Sequence, residues 1–262
     1  MVSALPAAIA LLRAELAARG DPEQTARFAR AALTHISEQE RGPHLWARWL
    51  LALADWLAGR AEQAEPALAV VLAEGRATAG SHPLVSSCIT LARAQQARGR
   101  LTAALRTYRE GLTVATEGDR PSTFHAAEAH VGLGQVLYER NQLDEALRHL
   151  TEGLALCRQL VAVQLSALAM VTMAWIRQAS GDPDGARQTM DEACALLPDT
   201  LTATWYQPGA GGAGPPAPGP GPGGPGGPVG RGAGAAGGGR AVLSAGARPP
   251  AAGAAAVPAR CC

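Results

Sequence analysis

His125, Glu128 and His130 form an H-x-x-E-x-H stretch, one residue longer than the H-x-x-E-H pattern of zinc hydrolases. A separation of five along a helix turns the two imidazoles to well-separated faces, so the pair is not expected to share a metal. Glu128 lies three residues from His125 and reads as a solvated helix contact rather than an acid/base couple. His35, His44, His82 and His149 are isolated and are expected on the surface or at caps. Ser86 and Ser87 stand near His82, but no Gly-x-Ser-x-Gly elbow and no strand surrounds them, so a hydrolase is not expected. The five cysteines lack a C-x-x-C spacing, which argues against a zinc site or disulfide framework and for buried thiols in a reducing cytoplasm. Every basic residue is Arg. With no Lys there is no phosphate loop of the G-x-x-x-x-G-K-[ST] kind, no lysine nucleophile and no Schiff-base site. The expectation is a protein that is not an enzyme, with no cofactor and no metal.

What would position any binding residues is a repeat. Gly20, Gly59, Gly99, Asn141 and Gly181 follow apolar segments at spacings of 39, 40, 42 and 40 residues. Asn is the residue that, after Gly, best tolerates a positive φ, so all five are expected to end a helix in the left-handed conformation. Five residues later comes Thr25, Ala64, Ala104, Ala146 or Ala186. Seven residues earlier comes Ala52, Ala92, Gly134 or Ala174, with Arg13 the exception. Small residues so placed let antiparallel helices approach closely, and each unit is a helical hairpin. Asp21 and Asp182 are expected N-caps, each followed by Pro, with Gln24 closing a capping box. Apolar residues fall three and four apart, as in Leu133, Val136 and Leu137, and no segment shows the period-two alternation of strands. Pro66 falls inside an expected helix and should delay or kink it. Asp144 and Arg148, four apart, read as a solvated pair.

The ordered part is expected over 1–200, with hairpins at about 6–39, 45–78, 85–118, 127–160 and 167–200. From 201 to 262 a low-complexity tail is expected to be disordered. Of the 55 residues from Pro208 on, 44 are Gly, Ala or Pro, and they supply almost nothing to bury. A frameshifted terminus is the other reading that this composition allows. Without the tail, 19 Arg oppose 22 acids, so the formal charge of +1 becomes about −3. Nothing in that balance recruits nucleic acid. The N-terminal apolar stretch lacks a basic leader and reads as a first helix, not a signal peptide. The uncharged stretch from Gln159 to Ile176 contains Gln164, Ser166 and Thr172 and straddles a turn, so it reads as a buried helix pair rather than a membrane span.

Small residues at the eighth and twentieth positions, a turn Gly at the fifteenth and a large side chain at the twenty-fourth resemble the tetratricopeptide repeat. Tyr108, Leu150 and Met190 stand at that last position, and Pro198 closes the final unit. GDPEQTARFARAAL, GRLTAALRTYREGL, HVGLGQVLYERNQLDEALRHLTEGLAL and IRQASGDPDGARQTMDEA more narrowly resemble the tetratricopeptide-like region of MalT-like, LuxR-family ATP-dependent transcription activators. That resemblance implies an all-α, right-handed superhelix of about five hairpins. The ATPase module and helix-turn-helix domain of that family have no counterpart here, so ATP hydrolysis and DNA binding by this chain alone are not expected.

The resemblance also implies a concave face built from the first helix of each hairpin. Along and beside those positions stand Trp46, Trp49, Trp56, Arg93, Gln96, Gln135, Tyr138, Trp175 and Gln178. Flat rings with amides and a guanidinium suit a sugar or a peptide helix. Trp46 and Trp49 are expected to pack between helices, leaving Trp56, Arg93, Gln96, Gln135, Tyr138, Trp175 and Gln178 as candidate ligand contacts. The expected role is a cytoplasmic binding scaffold, a sensor fragment taking a peptide segment or small inducer; the alternative is a truncated DNA-binding regulator.

Overall fold

The computed structural model describes residues 4–37, 39–76, 82–117 and 121–196. Ten helices follow one another: α1 (Ala4–Ala17), α2 (Pro22–Leu33), α3 (Arg41–Leu57), α4 (Ala61–Arg76), α5 (His82–Ala97), α6 (Leu101–Glu117), α7 (Thr123–Glu139), α8 (Leu143–Gln159), α9 (Val163–Ala179) and α10 (Pro183–Leu196). Among the described residues there is no strand, and none of the helices is long and apolar enough to cross a membrane. The expected tail and Pro198 lie outside the described residues.

Each helix packs on its chain neighbours. In addition α3 meets α1 and α5, and α7 meets α5 and α9, whereas among the described residues the backbones of the even-numbered helices do not approach one another. The odd helices are therefore the inner layer of a curved stack and the even helices the outer one, the arrangement of an α-solenoid.

The small residues produce this spacing. Thr25, Ala64, Ala104 and Ala146 are fully buried, as is Ala92, and Ala52 and Ala174 are nearly so. Leu150 and Tyr108 fill the spaces left for them and are wholly enclosed. At Gly134 a Cβ would sit 2.4 Å from Leu150 Cγ, so only Gly admits that side chain.

The turns follow local chemistry with two departures. Gly59, Gly99, Asn141 and Gly181 take positive φ, but Gly20 does not, because the first turn closes through Asp21 N donating to Ala17 O at 2.8 Å. Val161 adopts a φ of 53° between α8 and α9, a conformation unfavourable for a β-branched residue and not foreseen. Asp21 Oδ1 accepts from Gln24 N at 2.8 Å and Asp182 Oδ1 from Gly185 N at 2.9 Å. The Gln24 side chain accepts from Arg27 Nη2 at 2.6 Å, so the expected capping box is only half present. Asp21→Ala is expected to lower stability by about 1 kcal/mol, read from urea denaturation followed by circular dichroism. Pro66 does not delay α4, which begins at Ala61 and runs through it.

Arg76 on α4 binds Glu110 on α6 through two bonds of 2.7 and 2.6 Å. Arg109 on α6 reaches Glu145 on α8 at 3.2 Å. Such exposed pairs each contribute about 0–1 kcal/mol. Arg148 pairs with Glu145 and Glu152, at 3.9 and 3.7 Å, in place of the expected Asp144. Cys88 and Cys157 are buried free thiols, and burial pushes them up to about 12 and about 11 respectively, which keeps both protonated at neutral pH.

Candidate functional site

The inner layer brings several of the expected contacts together across α5, α7 and α9. Tyr138, in the last turn of α7, lies 6.0 Å from Trp175 of α9 between ring centroids, with the planes 29° apart, a stacked arrangement. Both rings are half-buried. Beside them Gln96 of α5 donates from Nε2 to Glu139 Oε1 at 2.6 Å. Burial and the neighbouring Glu139 raise the Tyr138 hydroxyl above its ordinary value. Burial likewise raises Glu139, while the Gln96 bond acts against that rise. Gln178, one turn beyond Trp175, is half-buried on the same inner helix. The stacked rings offer a flat apolar surface, and Glu139, the next residue after Tyr138, carries the hydrogen bond to Gln96.

Other candidates are committed to the fold. Trp56 is 9% exposed and packs in the cluster of Leu68, Leu72, Leu84 and Leu91, which removes it from the groove. Its apolar spacing on α3 is equally compatible with the interface to α4, and the interface holds it. Gln135 is buried as well. Arg93 Nη2 binds Glu128 Oε1 at 2.9 Å in a largely enclosed pair between α5 and α7. Glu128 is therefore enclosed rather than solvated, and it faces Arg93 across the helix interface. Trp46 and Trp49 pack between helices as expected, and Trp49 Nε1 donates to Thr90 Oγ1 at 3.2 Å.

The histidines depart most from the sequence reading. His125 is buried, with Nε2 3.0 Å from Ser86 Oγ and Nδ1 2.7 Å from Ser122 Oγ, the hydroxyl that also caps α7. Ser86 thus meets a histidine, although not the nearby His82. Both partners are enclosed, Ser86 at 3% exposure, so a substrate carbonyl has no approach to Oγ, and the contact braces α5 against α7. His149, expected on the surface or at a cap, is buried and lies with Nδ1 3.1 Å from Nδ1 of His130. Burial lowers both imidazoles and favours their neutral forms.

The sequence matches the profile of the MalT-like TPR region over residues 7–207, most of the chain and nearly all of the ten-helix stack. The chain belongs to the MalT-like TPR family. Among solved structures, this MalT-like TPR chain is similar to BtubC (BKLC) from P. vanneervenii. The TM-score is 0.57 at 19% identity, over 70% of this chain and 76% of that one. It is also similar to a Podosopora anserina chain of nearly identical TPR-like repeats. There the TM-score is 0.54 at 18% identity, over 73% of this chain and 95% of the other. At such identities the likeness establishes the repeat fold and not a shared ligand. No curated protein matches the sequence.

Proposed function

We propose that this MalT-like TPR chain is a non-enzymatic binding scaffold whose inner surface takes a short peptide segment or small inducer. On this reading it is the sensor region of a cytoplasmic MalT-like transcriptional regulator. The observation that carries it is the half-buried Tyr138–Trp175 stack on α7 and α9. Two large rings left partly open on the inner layer of a solenoid, with Glu139 next to Tyr138 in the chain and Gln178 one turn beyond Trp175, fit an amphipathic helix. Its apolar side would cover the rings and its polar side meet Glu139 and Gln178.

The test uses peptides selected from a displayed library on the immobilised full chain. Tyr138→Ala and Trp175→Ala are each expected to weaken the selected peptides about tenfold, the worth of one lost aromatic contact, with helical circular dichroism unchanged. Loss of helicity would assign the rings to the core, and unchanged affinity would place the ligand elsewhere.

A further inference from the structure

The second helical layer meets the first at a point that the inner groove does not use. His130 on α7 faces His149 and Glu152 on α8. His130 Nδ1 is 3.1 Å from His149 Nδ1 and 3.1 Å from Glu152 Oε2, and the three donor atoms all lie within 4.8 Å of one another. From this geometry we infer that His130, His149 and Glu152 form a Zn(II)-binding site that clamps α7 to α8.

Three observations support it. First, tetrahedral Zn(II) with bonds of about 2.0–2.1 Å sets its donors about 3.3 Å apart. Both contacts of His130 Nδ1 are already close to that separation, so loading the site needs side-chain adjustment rather than movement of a helix.

Second, a single proton on His130 Nδ1 cannot serve both of its neighbours in full, whereas a cation can engage all three groups at once. In a neutral imidazole Nδ1 is either donor or acceptor. If His130 Nδ1 carries the proton it serves Glu152, and His149 is left with a poorer contact. If it does not, its lone pair faces the carboxylate. A cation between the three atoms accepts a lone pair from each.

Third, the backbone is built for this approach. A Cβ on Gly153 would stand 3.1 Å from His130 Cβ and 3.0 Å from Val131 Cγ2, so glycine beside Glu152 lets α8 come close enough to α7 for the side chains to meet. His149 and Glu152, three apart on α8, project to one side of the helix.

Two nitrogens and one carboxylate suit Zn(II), and three protein donors leave a fourth position for water on the side of Glu152, whose side chain is 46% exposed. Arg148, 3.7 Å from Glu152, stands against the site and tempers its affinity.

The experiment titrates the thiol-reduced full chain with Zn(II) against a chromophoric chelator, and with Co(II) as a spectroscopic probe. Wild type is expected to bind one ion at this site, with a Co(II) visible spectrum free of thiolate charge transfer and a raised melting temperature on Zn(II) addition. His130→Gln and Glu152→Ala are each expected to weaken binding more than about 100-fold, through loss of one of three ligands. Glu152 is on the surface, so Glu152→Ala keeps the fold and makes the result readable even if a histidine variant does not fold. Absence of saturable Zn(II) binding by wild type, affinity unchanged in Glu152→Ala and His130→Gln, or a thiolate band placing the ion on cysteines would each overturn the assignment.

Discussion

Gly132→Ala is expected to destabilise the protein by about 2–3 kcal/mol, although alanine is the better helix former by about 1 kcal/mol. The new Cβ would stand 2.3 Å from both Cε1 and Cζ of Tyr108 and 2.8 Å from its hydroxyl oxygen. That ring has nowhere to go: Tyr108 is fully buried, packed among Leu105, Leu133 and Leu137, with its hydroxyl 3.5 Å from Gln96 Oε1. Steric overlap therefore outweighs propensity. The diagnostic is a double-mutant cycle by urea denaturation. Tyr108→Leu alone opens a cavity and costs stability, but in its background Gly132→Ala should cost little or become favourable, because the overlapping ring atoms are gone. Additive losses would show that some other contact sets the cost at Gly132.

Arg93→Met is expected to cost about 3 kcal/mol or more, because it leaves the Glu128 carboxylate enclosed between α5 and α7 without its guanidinium. The partners are 18% and 11% exposed at their side chains, so water replaces the lost charge poorly. Adding Glu128→Leu should recover most of the loss, since an apolar pair of similar volume removes the uncompensated charge along with its partner. Chemical denaturation of the two single variants and the double variant decides the matter. A loss below about 0.5 kcal/mol for Arg93→Met would mean that the pair behaves as a surface contact. This outcome bears on the groove, because Arg93 is a candidate ligand contact by sequence and the structure gives it a partner within the fold.

The repeat is legible in the sequence because its signals are local. A turn glycine, small residues at fixed offsets and Asp-Pro caps act within one hairpin, and their burial and hydrogen bonds follow the reading closely at Ala64, Ala104 and Asp182. The contacts between hairpins are harder to read, yet the period contains them. Ser86 and His125 are 39 residues apart, Trp49 and Thr90 41, Gln96 and Glu139 43. Residues about one period apart on successive inner helices face each other, so the same spacing that locates the turns can pair these side chains. Trp56 and Gln135 escape the sequence reading for another reason. A period of 3.6 marks an apolar face but does not say which neighbour covers it, and an inner helix has neighbours on several sides.

The layered contacts of the stack, in which no described helix reaches beyond the second helix along, have a thermodynamic corollary. Stability is carried link by link, as in a one-dimensional chain of couplings, and not by one shared centre. Amide exchange should then be graded along the stack, slowest in α7 and α8 with their dense enclosure around Leu133, Leu137 and Leu150, and faster toward α1, whose Leu5, Leu12 and Leu16 stand open to solvent. A ligand held between α7 and α9 would fasten the links on either side of it, so occupancy at the inner surface would be felt as slower opening of hairpins it never touches.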